Sequence, residues 1–235
     1  FLIRFLRAIR GLNSLPYTIF THTRVPLYHH TALTRFARAL LTRAGLSPAI
    51  ARDVAAILVE GDLFGKSTHG LALLPQYLAQ LESGKMTPRG APKILKKSAT
   101  TLLLDAHYLP GPFVLRRALD WALPRAQKHG VASVSIRRCH HTACLQSYLR
   151  TATDRGLAML LCCSDPANAV VTPAGGARGV YSPNPLAAGF PTTGAPILID
   201  TPPSSLSNAQ IARHFRAKQK FPFAALQSAT GKLTN

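Results

Sequence analysis

Asp62-Leu63-Phe64-Gly65-Lys66-Ser67-Thr68-His69-Gly70 is a polar stretch bounded by glycines and set between two helical patterns. Its later counterpart is Arg138-Cys139-His140-His141-Thr142. Both place histidines where the chain leaves regular structure, which is where side chains are free to do chemistry. Upstream, Leu33, Phe36, Ala37, Leu40 and Leu41 recur at helical spacing until Gly45. Ser47-Pro48 then reads as an N-cap with proline at the first helical position, opening a helix lined by Ile50, Val54, Ile57 and Leu58 that runs towards Gly61. A third helix covers 73–82 and ends at Gly84.

After a turn-rich linker from Met86 to Pro92 the period changes. Strands are expected at 100–104, 131–136 and 197–200, and a buried strand at 157–162. Helices are expected at 113–128, closed by Gly130, and at 142–154, closed by Gly156. That alternation predicts α/β architecture: a basic N-terminal extension over 1–26, a helical region over 27–85, and an α/β domain over 86–235. The tail after Pro202 is polar and carries no clear period.

The composition narrows the function classes. An apolar fraction of 47% suits a globular core, and the longest apolar run, 157–163, is far too short to cross a bilayer. Lys and Arg number 28 against nine acids, a formal charge of +19. The cations are scattered over helix faces, which reads as a solvated basic surface or as a surface for polyanions. Neither aromatic interleaving nor a recognisable module supports a nucleic-acid binder. Four cysteines, Cys139, Cys144, Cys162 and Cys163, form no C-x-x-C pair, so a reducing compartment is expected. Arg4, Arg7 and Arg10 among apolar residues resemble an organellar transit helix, the alternative being a segment outside the fold. The expected location is the cytoplasm, with an organelle as the alternative.

Familiar fingerprints are missing. The chain has no G-x-G-x-x-G after its first strand, no P-loop and no G-x-S-x-G. Cys139, His140, His141 and Cys144 are zinc-ligand types at spacings that fit no standard site, so no metal is expected. His69 stands beside Thr68, whose hydroxyl can hold the imidazole, and Asp62 can cap or orient the segment locally. His141 follows a strand at the opening of a helix, the edge where α/β folds place ligands. For both histidines the residues alone leave a structural and a catalytic reading open.

The order of the pieces goes further. D-x-x-G-x-x-[ST]-H-G is followed by a helix with Pro75 and Tyr77, Glu82-x-Gly84, a strand ending in Asp105, and then His141. Asp165-Pro166, Pro173-x-Gly175-Gly176, Asn184-Pro185 and a strand ending at Asp200 come after. From about Thr31 to Asn235 this succession resembles the malate/L-lactate dehydrogenase family of the non-Rossmann type, which also holds ureidoglycolate and sulfolactate dehydrogenases and a cyclic imino acid reductase. The resemblance implies N-terminal helices followed by a three-layer α/β domain with a mixed sheet. It implies an NAD- or NADP-dependent oxidoreductase that passes a hydride between nicotinamide and a 2-hydroxy or 2-oxo acid. His141 matches the catalytic histidine, which would take the hydroxyl proton. Thr68 and His69 match a Ser-His pair at the substrate site. Asp200, with Thr201 after it, matches the cofactor-side D-M-A-T-S segment, and the resemblance counts it with His141 and His69 among the catalytic residues. Ser164 lies near a cofactor-contacting serine, and Asn184 matches a G-T-N-P loop. A homodimer is also implied, and so is a C-terminal part of the fold beyond residue 235.

The chain departs from that pattern at defined places. Leu73 stands where the family has an arginine that clamps the substrate carboxylate, a contact worth about 1.5–3 kcal/mol; Arg137 or Arg138 could compensate. Ala143 replaces a glycine. Ser182-Pro183-Asn184-Pro185 and Asp200-Thr201-Pro202-Pro203-Ser204 carry prolines that remove backbone donors. These departures keep a second reading open, a catalytically inactive relic or a basic binding module on the same scaffold.

Overall fold

The structure is a computed structural model that describes residues 2–4 and 26–234, apart from Ala174, Pro203, Ser205, Ser207, Ala225 and Ala229. Most of the expected basic extension over 1–26, and Pro203 of the Asp200 segment, therefore lie outside the described residues. The chain falls into two compact units, Phe1–Tyr148 and Leu149–Asn235. The expected boundary at 85/86 falls inside the first.

In the first unit, β1 (Leu2–Arg4) pairs antiparallel with β2 (Leu27–His29). Helix α1 (His30–Arg43) buries Leu33, Ala37 and Leu41. Helix α2 (Pro48–Leu63) is the central element, packing on α1 and on the later α4. Its buried positions, among them Ile50, Val54, Ala55, Ile57 and Leu58, nearly encircle it, as expected of a helix covered on several sides. Proline takes the first turn of α2 as expected, but the Ser47 side chain makes no capping bond. Within α2, Asp53 is buried and meets Arg52 at 3.1 Å and Arg116 of α4 at 3.6 Å. Two short 3₁₀ turns, Ser67–His69 and Leu71–Leu73, lead into α3 (Leu74–Glu82).

A three-stranded mixed sheet follows. β3 (Lys93–Lys97) runs antiparallel to β4 (Thr101–Asp105), and β4 runs parallel to β5 (Ser133–Arg137). The β4–β5 crossover is α4 (Gly111–His129), which ends at Gly130 with φ 82°. Leu102 and Leu104 of β4 and Ala118 of α4 form a core cluster, with Trp121, Val134 and Ile136 packed on it. The sequence pattern missed β3 because Lys-Ile-Leu-Lys-Lys reads as polar. Lysines on a strand at the end of a sheet are a device against unwanted pairing.

The second unit is built on β6 (Met159–Cys162), β7 (Leu186–Phe190) and β8 (Ile197–Thr201), all antiparallel. Helix α5 (Gln146–Thr153) crosses the boundary between the units, and its Leu149 and Thr153 lie against Gly189 of β7. The strand expected to be buried is half exposed, with Leu160 at 73%. β7 was not expected, since Leu-Ala-Ala-Gly-Phe has little strand propensity; pairing on both sides supplies what propensity does not. Helix α6 (Asn208–Arg216) and a short β9 (Leu226–Gln227) and β10 (Leu233–Thr234) ladder complete the described chain. The sequence is thus mixed α/β, as its alternation predicts. Among the described residues, no helix is long and apolar enough to cross a membrane.

Asp53 ties α2 to α4 through Arg116, which stays partly solvated. Asp53→Ala is expected to lower the unfolding free energy by about 1–2 kcal/mol, read from the denaturant midpoint.

Candidate functional site

In the first unit the site grows from the carboxyl ends of β4 and β5. Asp105 closes β4 and is 1% exposed. Its carboxylate accepts from Arg138 Nη2 at 2.7 Å and Nε at 2.9 Å, from Arg137 Nη2 at 2.9 Å, and from the His107 amide at 3.0 Å. The Arg138 contacts hold the Asp105 carboxyl well below the usual carboxylate range; burial opposes this, and the His107 amide and Arg137 add to it. His107, Tyr108 and Arg138 adopt φ of 47°, 61° and 50°, so the two strand-end turns bend sharply around this charge cluster. Both arginines that could have replaced the missing carboxylate clamp are therefore held by Asp105, and Leu73 is packed in the interior.

The turn delivers His140 and His141 to a tightly held loop. The His140 amide donates to the Leu109 carbonyl at 3.1 Å. The His141 carbonyl accepts from the Gly111 amide at 3.2 Å and from the Tyr77 hydroxyl at 2.8 Å. The Thr142 carbonyl accepts from the Tyr148 hydroxyl at 2.6 Å. A Cβ on Gly111 would lie 2.6 Å from the His141 oxygen and 2.7 Å from Thr142 Cα, so only glycine lets α4 begin there. Residues 142–145, expected as the first turn of α5, are not helical. The Ala143 amide donates to His141 Nδ1 at 3.1 Å, and Ala143 itself sits at φ 59°. A local side-chain acceptor has outcompeted the helical ladder.

His69 arrives from the other side of the same unit. Its ring stacks on that of His141, with centroids 5.9 Å apart and planes at 20°. Thr68 Oγ1 lies 3.0 Å from His69 Nδ1. Asp62 Oδ2 accepts the Leu71 amide at 2.8 Å, which fixes the chain just beyond His69. A side chain at Gly70 would run into the Asp62 carboxylate, and one at Gly61 would meet the His69 carbonyl at 2.9 Å. The local orienting role expected of Asp62 is what the structure displays.

The electrostatics differ across this cluster. Burial pushes Asp62 up to about 6, against the pull of the Leu71 amide. Burial pushes His141 down to about 4, helped by His69 and His140. Burial pushes the Tyr77 and Tyr148 hydroxyls up, so both remain proton donors. The Ala143 amide can only donate, so a neutral His141 keeps Nδ1 bare and carries its proton on Nε2. Thr68 Oγ1 can donate to His69 Nδ1 or accept from it.

The expected cofactor-side residues lie in the second unit and share one end of its sheet. Register places Cys162, Leu186 and Thr201 opposite one another. Ser164 follows Cys162 by two residues and is exposed, Asn184 precedes Leu186 by two, and Asp200 adjoins Thr201. Ser182 Oγ accepts the Asp165 amide at 2.9 Å and donates to Asn184 Oδ1 at 2.6 Å, which joins the two loops. Among the described residues, no group of three or more His, Cys, Asp or Glu could hold a metal ion.

Sequence reasoning gave no role to Tyr77, Tyr148 or Gly111. The available signal was two tyrosines on otherwise apolar helix faces, since a buried phenol needs a partner for its hydroxyl.

The malate/L-lactate dehydrogenase family matches residues 28–235. Delta(1)-pyrroline-2-carboxylate reductase of Pseudomonas fluorescens is 30% identical over 184 residues, covering 78% of this chain and 54% of that protein. L-sulfolactate dehydrogenase of Methanocaldococcus jannaschii is 28% identical over 196 residues, covering 83% and 56%. The crystal structure of delta1-piperideine-2-carboxylate reductase from Pseudomonas syringae pvar. tomato superposes with a TM-score of 0.82 at 25% identity, covering 87% of this chain and 61% of that one. The chain thus spans about half the length of the curated relatives it matches.

Two pH slopes of opposite sign follow from these two shifts. An unfolded histidine titrates near 6.5 and an unfolded aspartate near 4. The stability due to neutral His141 is full above about 6.5 and is lost as pH falls towards 4. The contribution of Asp62 is full below about 4 and is lost as pH rises through 6. In unfolding measurements across that window, Asp62→Asn is expected to leave a loss of stability on acidification, and His141→Gln a loss on alkalinisation. Gly111→Ala is expected to cost about 1–3 kcal/mol through overpacking against the His141 loop, read from thermal unfolding.

Proposed function

Because the chain belongs to the malate/L-lactate dehydrogenase family, we propose that it serves an NAD- or NADP-dependent oxidoreductase that interconverts a small 2-hydroxy acid with its 2-oxo, or cyclic 2-imino, counterpart. The observation that carries this reading is the stacked His69–His141 pair, whose two members have unlike partners.

A nicotinamide held by this chain would supply the hydride chemistry at carbon 2, in either direction. The protein's own groups handle the proton. His141, neutral and with its proton on Nε2, suits a fixed hydrogen-bond donor to the substrate oxygen, drawing electron density from carbon 2. His69 suits the titrating role: as imidazolium it delivers a proton to that oxygen in reduction, and as imidazole it takes the hydroxyl proton in oxidation. The family resemblance assigns the proton transfer to His141; the Thr68 hydroxyl on His69, which can donate or accept, supports His69 as the second candidate.

Ser164, Asn184, Asp200 and Thr201 are the residues we assign to the cofactor. Their fit rests on hydroxyls, a side-chain amide and a carboxylate gathered at one sheet end. Pro183 and Pro202 offer no amide proton, so the contacts there fall to side chains. A second reading, a scaffold kept without turnover, is favoured by the interior position of Leu73 where a carboxylate clamp would stand. The resemblance extends the reading to a cytoplasmic homodimer, which sedimentation of the purified chain tests.

Titration with NADH and NADPH, followed through quenching of Trp121, is expected to show saturable binding. Its absence would remove the cofactor reading. With turnover established, His69→Gln is expected to lower kcat by about 10²–10⁴-fold with the cofactor dissociation constant kept. An equal loss of affinity would mark the histidine as structural.

A further inference from the structure

We propose that Tyr77 and Tyr148 form a positioning clamp that fixes which ring nitrogen of His141 carries its proton. The inference deepens the proposed function and rests on it for its kinetic consequence, though not for its structural one. The two hydroxyls reach consecutive carbonyls of one loop: Tyr77 donates to His141 at 2.8 Å, and Tyr148 donates to Thr142 at 2.6 Å. Both tyrosines are fully buried, one on α3 and one on α5, so neither hydroxyl has water as an alternative partner. The Gly111 amide at the start of α4 adds a second donor to the His141 carbonyl.

With carbonyls 141 and 142 held inward, the peptide between them and Ala143 has little freedom. The next backbone group, the Ala143 amide, is turned onto His141 Nδ1 at 3.1 Å, and the chain accepts a left-handed φ of 59° at an alanine to achieve this. An unfavourable backbone angle persists only where the surroundings over-determine it. Here the surroundings are two phenols and one amide, all donors. The outcome is a histidine whose Nδ1 is held as an acceptor and whose proton sits on Nε2. Tyr77 touches the ring as well: its oxygen lies 3.4 Å from Nδ1, and its ring meets the imidazole edge-on at 88°. It thereby limits rotation of the imidazole as well as movement of the backbone. Neither tyrosine is assigned a contact with substrate, so both act through His141.

The clamp is tested with Tyr77→Phe and Tyr148→Phe, which keep ring volume and remove one hydroxyl each. Histidine ring ¹⁵N shifts of the full chain report the His141 tautomer directly and need no turnover; His141→Gln assigns the signal. In the parent, one nitrogen is expected at the protonated position and one at the bare position. In at least one folded variant the two shifts are expected to move towards each other, with kcat lowered by roughly tenfold to a hundredfold and KM for the nicotinamide unchanged. Circular dichroism and the melting temperature establish that the variants are folded. If both folded variants keep the parent tautomer, the clamp is overturned, whatever happens to the rate. If the nitrogens mix in the variants while the parent itself shows no turnover, the clamp stands and the oxidoreductase reading fails instead.

Discussion

The buried carboxylate of Asp105 is the contact on which the rest of the first unit turns. It ends β4, receives both guanidinium groups that end β5, and accepts the amide of His107. Without a negative charge there, two arginines would close on the sheet edge with nothing to neutralise them. With it, the parallel strands finish level and the chain leaves β5 through a left-handed Arg138 aimed at α3 and the start of α4. The position of His141 is downstream of that bend. In a chain with nine acids against 28 Lys and Arg, an acid in the interior carries a burden that a surface acid does not. Asp53 and Asp62 have comparable tasks, one joining α2 to α4 and the other holding the segment after His69.

The histidine cluster then works through unlike hydrogen-bond partners. A backbone amide offers a proton and nothing else, whereas a threonine hydroxyl can face either way. Two similar rings stacked in one unit are thereby given different hydrogen-bond partners. Burial acts in the same sense, since it keeps His141 neutral and leaves the tyrosines as donors. The substitution of Leu73 for a family arginine, and the engagement of Arg137 and Arg138 elsewhere, remove the obvious anchors for a substrate carboxylate without disturbing this asymmetry.

The second unit shows a different logic. Its candidate residues come from three separate stretches and share one sheet end only because β6, β7 and β8 are in antiparallel register. The same register sends Leu160, Leu186, Phe190, Ile197 and Ile199 to one face of the sheet, and all of them are exposed. A strand read as buried from its apolar run is half exposed for that reason. Apolar composition indicates that a strand can be covered, not that both of its faces are.

The sequence by itself determined α1 to α5 and the strands β4, β5, β6 and β8, because period, capping proline and closing glycines are local properties; α6 and the remaining strands were not legible in it. It also determined the family, because the order of many weak motifs is preserved even where single residues have changed. It indicated Thr68, His69, His141, Asp200 and Asn184 as residues to follow. Tertiary structure alone decided that His69 stacks on His141, that residues 142–145 leave the helical path, and that two distant tyrosines hold the loop between them. The reason is physical. Each of those outcomes depends on which donor reaches which acceptor across the fold, and a hydrogen bond is fixed by position and direction, neither of which is written in the spacing of residues along a chain.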